Sequence, residues 1–384
     1  MYDWLIVGCG LTGATLAERI ASQLNERVLI IDKRSHVGGN TFDFYDDSGI
    51  LVSKYGAHIF HTNSKEVWSY VTRFAKFNNY VHFVDAYVGG KYYALPINLD
   101  TINSFYQINL SIEELPAFIE TKRVPIEHPA NAEEAVIDKV GIELYEAFYK
   151  NYTRKQWGVD PKELDSSVTM RLPVRMNPDK RYFSDTWQGI PIGGYTKMVE
   201  KMLHHKNIDV ILDLDHRRVA ELVKFKKMIF TGSIDAFFDR QLGDLHYRSL
   251  EFKFETHHCD HSQHTGVVNY PNDFDYTRIV EYKYLNKQES PDTTISYEYP
   301  CWNDDEPYYP VPSAASRLLL EKYKETAAKL ETVFFCGRLG TYQYYNMDQC
   351  IGQALHLFST RIAKKEKHTQ LTARFKRIQW KKTF

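Results

Sequence analysis

Hydrophobic positions along the chain change period several times, and each change predicts a different element. Leu5, Ile6 and Val7 form an unbroken apolar run closed by Gly8, as in a strand buried on both faces. Leu11, Ala14, Leu16, Ala17 and Ile20 then recur at helical spacing, and Val28 to Ile31 make a second continuous run ending at Asp32. Gly8, Gly10, Thr12 and Gly13 stand between the first run and the helix. In a strand–turn–helix, the first glycine permits the tight turn and the second lets backbone approach a pyrophosphate. The third lets helix pack close to strand, and the helix N-terminus offers its free N–H groups to the anion. Asp32 follows Gly13 by 19 residues, where a carboxylate meets a ribose hydroxyl pair. The pattern predicts a nucleotide-binding βαβ unit.

Further along, Asp46-Asp47-Ser48-Gly49 marks a hairpin turn and residues 64–74 carry one apolar helical face. Residues 80–88 alternate, turn at Gly89-Gly90 and continue through Tyr92 to Pro96, which predicts a β-hairpin. Residues 101–157 read as a helical insertion, followed by a proline-punctuated loop over 160–177 and a helix over 197–203. Strands over 208–214 and 228–230 return to the nucleotide unit, and 247–299 alternates often enough to predict an antiparallel sheet. Val333-Phe334-Phe335 closes on Gly337 and Arg338, ahead of a polar turn and a helix from Met347 to about 362, a second anion-facing helix start. The expected class is α/β: a discontinuous Rossmann-like nucleotide-binding domain (1–80, 195–240 and 315–362) with a helical insertion (98–175). An antiparallel β-sheet domain (81–97, 176–194 and 241–314) and a basic tail (363–384) complete it.

Composition narrows the chemistry. With 43% hydrophobic and 25% charged residues over 384 positions, the chain reads as an ordinary water-exposed globular protein. A net charge of −1 gives no reason to expect nucleic acid as a partner. No apolar run reaches the roughly 18 residues of a membrane span. No charged-then-apolar leader precedes the first strand, so the expected location is the cytoplasm. The five cysteines are scattered without a CxxC pair, which predicts free thiols. His58 and His61 lie three apart without a nearby cysteine or carboxylate, so no metal is expected. The 27 tyrosines offer stacking faces and phenolic hydroxyls for a site. The tail carries eight lysines or arginines against one acid, together with Phe375, Trp380 and Phe384. It reads as a solvated segment or as a peripheral contact with an anionic surface.

Ordered strings carry a more specific reading. Asp32-Lys33-Arg34 continuing to Gly38-Gly39-Asn40 resembles the FAD-binding extension of the amine oxidase and glutathione reductase group. Tyr55-Gly56-Ala57-His58-Ile59-Phe60-His61-Thr62, Tyr152-Thr153-Arg154-Lys155-Gln156-Trp157-Gly158 and Arg171-Leu172-Pro173-Val174-Arg175 follow in order. Gln188-Gly189-Ile190-Pro191, Tyr276-Thr277-Arg278-Ile279, Pro307-Tyr308-Tyr309-Pro310 and Gly337-Arg338-Leu339-Gly340-Thr341-Tyr342 complete the set. Over residues 1–360 the chain resembles the bacterial UDP-galactopyranose mutases.

That resemblance implies a homodimeric flavoenzyme interconverting UDP-galactopyranose and UDP-galactofuranose for cell-surface polysaccharide, with no net redox change. Reduced FAD is the active form, and its N5 carries the sugar while UDP departs. Arg171 and Arg278 would hold the diphosphate with Tyr182, Tyr309 and Tyr344, the Arg171 loop closing after binding. Phe148, Tyr152, Thr153 and Trp157 would form the uridine pocket, with Asn269 contacting uridine or sugar. His58 and Ile59 would pack at the isoalloxazine, while Arg338, Met347, Asp348 and Gln349 face the flavin. Gly8, Gly10, Thr12, Gly13, Asp32, Gly39 and Asn40 would hold the rest of the cofactor.

Three positions depart from the family pattern: His82 stands for an asparagine, Asn346 for an acid and Asn151 for a glycine. His82 and Asn346 sit on the sugar side, so the same chemistry on UDP-N-acetylgalactosamine or dTDP-fucopyranose stays open. A flavin oxidase of the amine oxidase group and a flavin-binding scaffold are further alternatives.

Overall fold

Both faces of the first apolar strand are covered, which explains its unbroken hydrophobic run. The computed structural model describes residues 1–170, 173–303 and 306–364. Arg171 and the tail from 365 onward therefore lie outside the described residues. Strand Tyr2–Val7 sits at the centre of a five-stranded, all-parallel sheet in the order Val333–Phe335, Phe225–Phe230, Tyr2–Val7, Val28–Ile31, Ile208–Ile211. Helices Leu11–Leu24, Gly194–Leu203 and Met347–Leu357 contribute to the main core with Ile6 and Ile30. A separate cluster of Leu5, Val7, Leu29, Ile31 and Phe230 buries the other side. A parallel sheet of this kind survives only between two apolar layers. This is the Rossmann-like α/β arrangement expected from the sequence.

The second sheet has seven strands, in the order Tyr309–Pro310, Tyr247–His257, Thr293–Cys301, Arg278–Glu281, Val267–Asn269, Val84–Val88, Lys91–Leu95. Its pairs are antiparallel except Val267–Asn269 with Val84–Val88, which run parallel. Those two strands are far apart in the chain, so no hairpin turn imposes the antiparallel sense. The Gly89-Gly90 hairpin lies at one edge of this sheet.

Helices Leu99–Tyr106, Leu115–Lys122 and Ala132–Val140 fill the expected helical insertion. Asn98 and Asn131 cap two of them by accepting from Thr101 N and Glu134 N at 3.0 and 2.9 Å. A π-helical turn, Tyr145–Lys150, runs directly into helix Asn151–Trp157, which ends at Gly158 with φ +71°. Among the described residues no helix is long and apolar enough to cross a membrane.

Two expectations change. Residues 176–194 were expected in the large sheet, but strand Trp187–Gly189 pairs instead with Phe60–Thr62 in a separate two-stranded sheet. This joins it to the strand just after His58. The 160–177 loop also holds order: Asp160 and Glu163 cap a short turn Pro161–Glu163, and Ser167–Met170 is helical.

Candidate active site

The candidate site starts where the parallel strands Tyr2–Val7, Val28–Ile31 and Phe225–Phe230 end and extends to His58, which lies near Arg278 of the seven-stranded sheet. At its nucleotide end is a cleft of about 360 Å³ lined by Gly8, Gly10, Thr12, Asp32, Gly39 and Asn40 among others. Gly8 has φ +102°, and a Cβ there would fall 2.0 Å from Thr231 Oγ1. A Cβ on Gly13 would fall 2.0 Å from the Gly8 carbonyl oxygen, so both positions exclude side chains. Gly38 N donates to Cys9 O at 2.9 Å, and a Cβ on Gly39 would lie 3.0 Å from Gly10 Cα. Four glycines thus press two backbone segments together at the floor. Asp32 shapes this turn as well as lining the cleft: its carboxylate accepts from Cys9 N at 2.7 Å and Arg34 N at 3.0 Å. Arg34 in turn donates to Asn40 Oδ1 and Glu306, both at 2.9 Å, and lies over the Tyr55 ring.

The same cleft reaches His58, Arg338 and Met347. Arg338 is fixed by main chain, donating to Tyr345 O at 3.0 and 2.6 Å and to Tyr308 O at 3.3 Å. His58 Nδ1 lies 2.8 Å from Gly56 O, which places the proton on Nδ1 and leaves Nε2 as the acceptor. Burial, with Arg338 and Arg278 nearby, pushes its pKa down to about 4. Next to Met347, the buried Asp348 Oδ1 has no partner among the described residues. A glycine floor that Cβ atoms would fill, a helix start and an unmatched buried acceptor fit a bound dinucleotide.

Beyond His58 the site is built on one cross-strand row. Ala86, Asn269, Arg278, Glu298 and Phe252 are direct register partners on five successive strands of the large sheet, so they share a face. Glu298 is fully buried, and Arg278 Nε donates to its Oε2 at 2.5 Å. Burial opposes the Arg278 charge, but Glu298 and Tyr152 outweigh it and hold the guanidinium above its usual pKa. Its two Nη groups have no hydrogen-bond partner among the described residues. Among the described residues Glu298 Oε1 is also without a partner, and Gly56, with φ +88°, passes so close that a Cβ would sit 2.8 Å from it. The His58 loop is therefore seated on the Arg278–Glu298 pair.

Phenols surround this cation. Trp157 meets the Tyr309 and Tyr344 rings edge-on at 5.2 and 5.4 Å, and Tyr309 and Tyr344 lie 5.5 Å apart. The Gln156 amide donates to the Tyr309 hydroxyl, which donates to Gln156 O at 3.1 Å. Burial raises the Tyr152 pKa to about 12 and lifts Tyr182 and Tyr309 above their usual value. All three stay protonated and able to donate at neutral pH. His82 is buried beside them, its Nδ1 3.1 Å from the Tyr80 hydroxyl and its carbonyl accepting from Tyr182 N at 2.8 Å. Burial and the nearby Arg278 push its pKa down to about 3, so it too is neutral.

The structure thus brings Tyr152, Tyr182, Tyr309, Tyr344 and His82 near Arg278, with Asn269 its register partner, Trp157 against Tyr309 and Tyr344, and His58 close to both Arg278 and Arg338. Others are placed differently. Phe148 is buried in the main core against Tyr93 and Phe105, and Thr153 is buried on the helix that carries Tyr152 and Trp157. Ile59 is likewise a core residue. Asn346 and Gln349 form a reciprocal capping box on helix Met347–Leu357, because that helix start has its own unpaired N–H groups to satisfy.

Sequence reasoning missed Glu298 and Gln156. Glu298 had a signal: in Thr294, Ser296, Glu298 the polar positions of an alternating strand are the buried ones, while Tyr297 and Tyr299 are half-buried. Gln156 had none, since its amide is defined only by its contact with Tyr309. Among the described residues no group of three or more histidine, cysteine or acidic side chains is arranged to hold a metal.

Comparison with known proteins supplies the family. The UDP-galactopyranose mutase family profile matches residues 147–344, and an NAD(P)-binding Rossmann-like domain profile matches residues 6–74. A Klebsiella pneumoniae protein named probable UDP-galactopyranose mutase is 42% identical over 357 residues, covering 91% of this chain and 92% of its own length. An Escherichia coli dTDP-fucopyranose mutase is 39% identical over 362 residues, covering 91% and 96%. The crystal structure of a reduced UDP-galactopyranose mutase shares the fold with TM-score 0.74 at 16% identity, covering 92% of each chain. With its glycine-floored dinucleotide cleft leading to an arginine ringed by phenols, the chain belongs to the UDP-galactopyranose mutase family, a family of isomerases.

Proposed function

We propose that the protein interconverts the pyranose and furanose forms of UDP-galactose, with FAD in the glycine-floored cleft and reduced flavin as the active state. The observation that carries this is Arg278, a permanently charged guanidinium with both Nη groups available, ringed by protonated phenols at the His58 end of the cleft. Reduced flavin, when bound, supplies an electron-rich centre that accepts the sugar at its anomeric carbon and returns it. The protein's own task is to stabilise and keep the departing UDP. Arg278 takes the charge that develops on the diphosphate, and Tyr182, Tyr309 and Tyr344 donate hydrogen bonds to it. Tyr152 and Trp157 provide the faces against which uracil stacks. Arg171, outside the described residues, is the second cation of this reading for the diphosphate. Neutral His58 adds no charge at the flavin end, and its Nε2 accepts a hydrogen bond there.

Asp32 meets the ribose, Gly8, Gly10, Thr12, Gly13, Gly39 and Asn40 frame the pyrophosphate, and Arg338, Met347 and Asp348 face the flavin side. The division into a Rossmann-like unit, a helical insertion, a sheet domain and a basic tail belongs to the same reading. So do a homodimer in the cytoplasm and a peripheral contact of residues 363–384 with anionic lipid, tested by light scattering, fractionation and vesicle sedimentation.

A related sugar is the second reading, favoured by the buried neutral His82 against Tyr182 and by Asn346 being spent on a helix cap. The deciding experiment incubates dithionite-reduced protein with UDP-galactose, UDP-N-acetylgalactosamine and dTDP-fucopyranose and separates the ring isomers. Furanose from UDP-galactose supports the first reading, and furanose from another donor alone selects the second. Peroxide formation without ring isomers would instead mean an oxidase.

A further inference from the structure

The stacking residues and the fixed cation stand on different elements, and one ammonium group ties those elements together. Helix Asn151–Trp157 carries Tyr152 and Trp157, while Asn269 and Arg278 flank the connection 270–277 between two strands of the large sheet. Lys155 Nζ donates to three main-chain carbonyls of that connection: Tyr270 O at 2.5 Å, Phe274 O at 2.7 Å and Tyr276 O at 3.0 Å. An ammonium has three protons, and here each has its own acceptor. Asn272, at the middle of the connection, adds a second tie. It accepts from Asn151 Nδ2 and donates to Ala147 O, both at 3.0 Å. The helix end is held from another strand, where Arg248 donates to Lys155 O and Gln156 O at 3.0 Å and lies over Trp302.

We propose that Lys155 is a positioning residue of this site: its ammonium binds the 270–277 connection to the helix and so sets the span between the Tyr152–Trp157 faces and the Arg278 guanidinium. The proposal rests on reading that span as the UDP site. Three carbonyls converging on one point suit a compact ammonium better than the planar fork of arginine. The charges facing Lys155 are Asp273 and Asp275 on the connection, with Arg248 bound to its carbonyl. Burial outweighs the two carboxylates and brings the Lys155 pKa down to about 8. Below that value three protons serve three carbonyls; above it one bond is lost and the connection loosens.

The test uses the full chain, with UDP binding by calorimetry and amide hydrogen exchange over 270–277. Lys155→Met should weaken UDP binding about tenfold, the scale of lost charge-assisted hydrogen bonds. It should also speed exchange in 270–277, and it should lack the weakening of UDP binding that the proposal expects of the wild type above pH 8. Lys155→Arg should fall between the two, and Arg154→Met, at an exposed neighbouring ion pair with Asp160, should change neither readout. Equal UDP affinity and equal exchange in wild type and Lys155→Met would overturn the proposal while leaving the site reading intact. A wild type that binds no UDP overturns the site reading itself, and the positioning role with it. If Lys155→Met fails to fold, Lys155→Arg and Asn272→Ala carry the test, and unchanged affinity and exchange in both would overturn it equally.

Discussion

The two ends of the functional surface are built by opposite means. The nucleotide end is almost all backbone, and most of it comes from residues 8–40. The Arg278 end is almost all side chain, and its members come from positions as distant as His82 and Tyr344. Backbone recognition needs space and turn geometry, which glycines encode locally. Side-chain recognition needs a shared face, which strand register creates only after the chain has folded. The first should therefore fail through sterics and take the fold with it. The second should fail through charge and leave the cofactor in place.

The largest effect is expected at Gly13→Val, where the new side chain meets the Gly8 carbonyl oxygen. Overpacking there should cost about 3 kcal/mol and bring extractable flavin close to zero; a yellow protein of normal thermal stability would break the contrast. Arg278→Ala should lower kcat by roughly a thousandfold with flavin retained. Glu298 then stays buried without its partner, at a stability cost of about 3 kcal/mol in urea unfolding. Arg278→Ala combined with Glu298→Ala should recover part of that stability and none of the activity. Recovery of turnover would mean that Arg278 serves only to satisfy Glu298.

Tyr309→Phe removes one hydroxyl from the phenol ring and should cost about tenfold in kcat/KM. An unchanged value would take Tyr309 out of the diphosphate contact.

The smallest effect concerns pH. His58 and His82, with pKa values pushed down to about 4 and about 3, are neutral from pH 5 to 8. Neither should produce an inflection in kcat/KM across that range. The unfolded chain binds protons at these positions near pH 6.5 and the folded chain does not, so stability rises with pH in this window. It should fall as the pH drops from about 6.5 toward 4 for His58 and 3 for His82. Histidine ring NMR showing either side chain titrating near 6.5 would contradict their burial.

Legibility in the sequence followed the same division. The βαβ unit, the glycine turn, Asp32 and the Gly89-Gly90 hairpin were readable because each depends on neighbours within a few residues. The seven-stranded sheet was readable as a sheet but not in its order: the parallel pair of Val267–Asn269 with Val84–Val88 has no local cause. The family motifs pointed to Arg278 and Tyr152, but not to Glu298, the carboxylate that fixes the guanidinium.

By itself, the sequence determined where the backbone must turn tightly, which runs must be buried, and which cation and phenols are available. A missing Cβ and a run of apolar side chains act at the residue where they occur. Only the tertiary structure decided that Asn269, Arg278 and Glu298 stand in one row, that Lys155 reaches three carbonyls more than a hundred residues away, and that His82 lies beside Tyr182. Those relations depend on strand register and on the seating of a helix against a loop, quantities that no short stretch of chain contains.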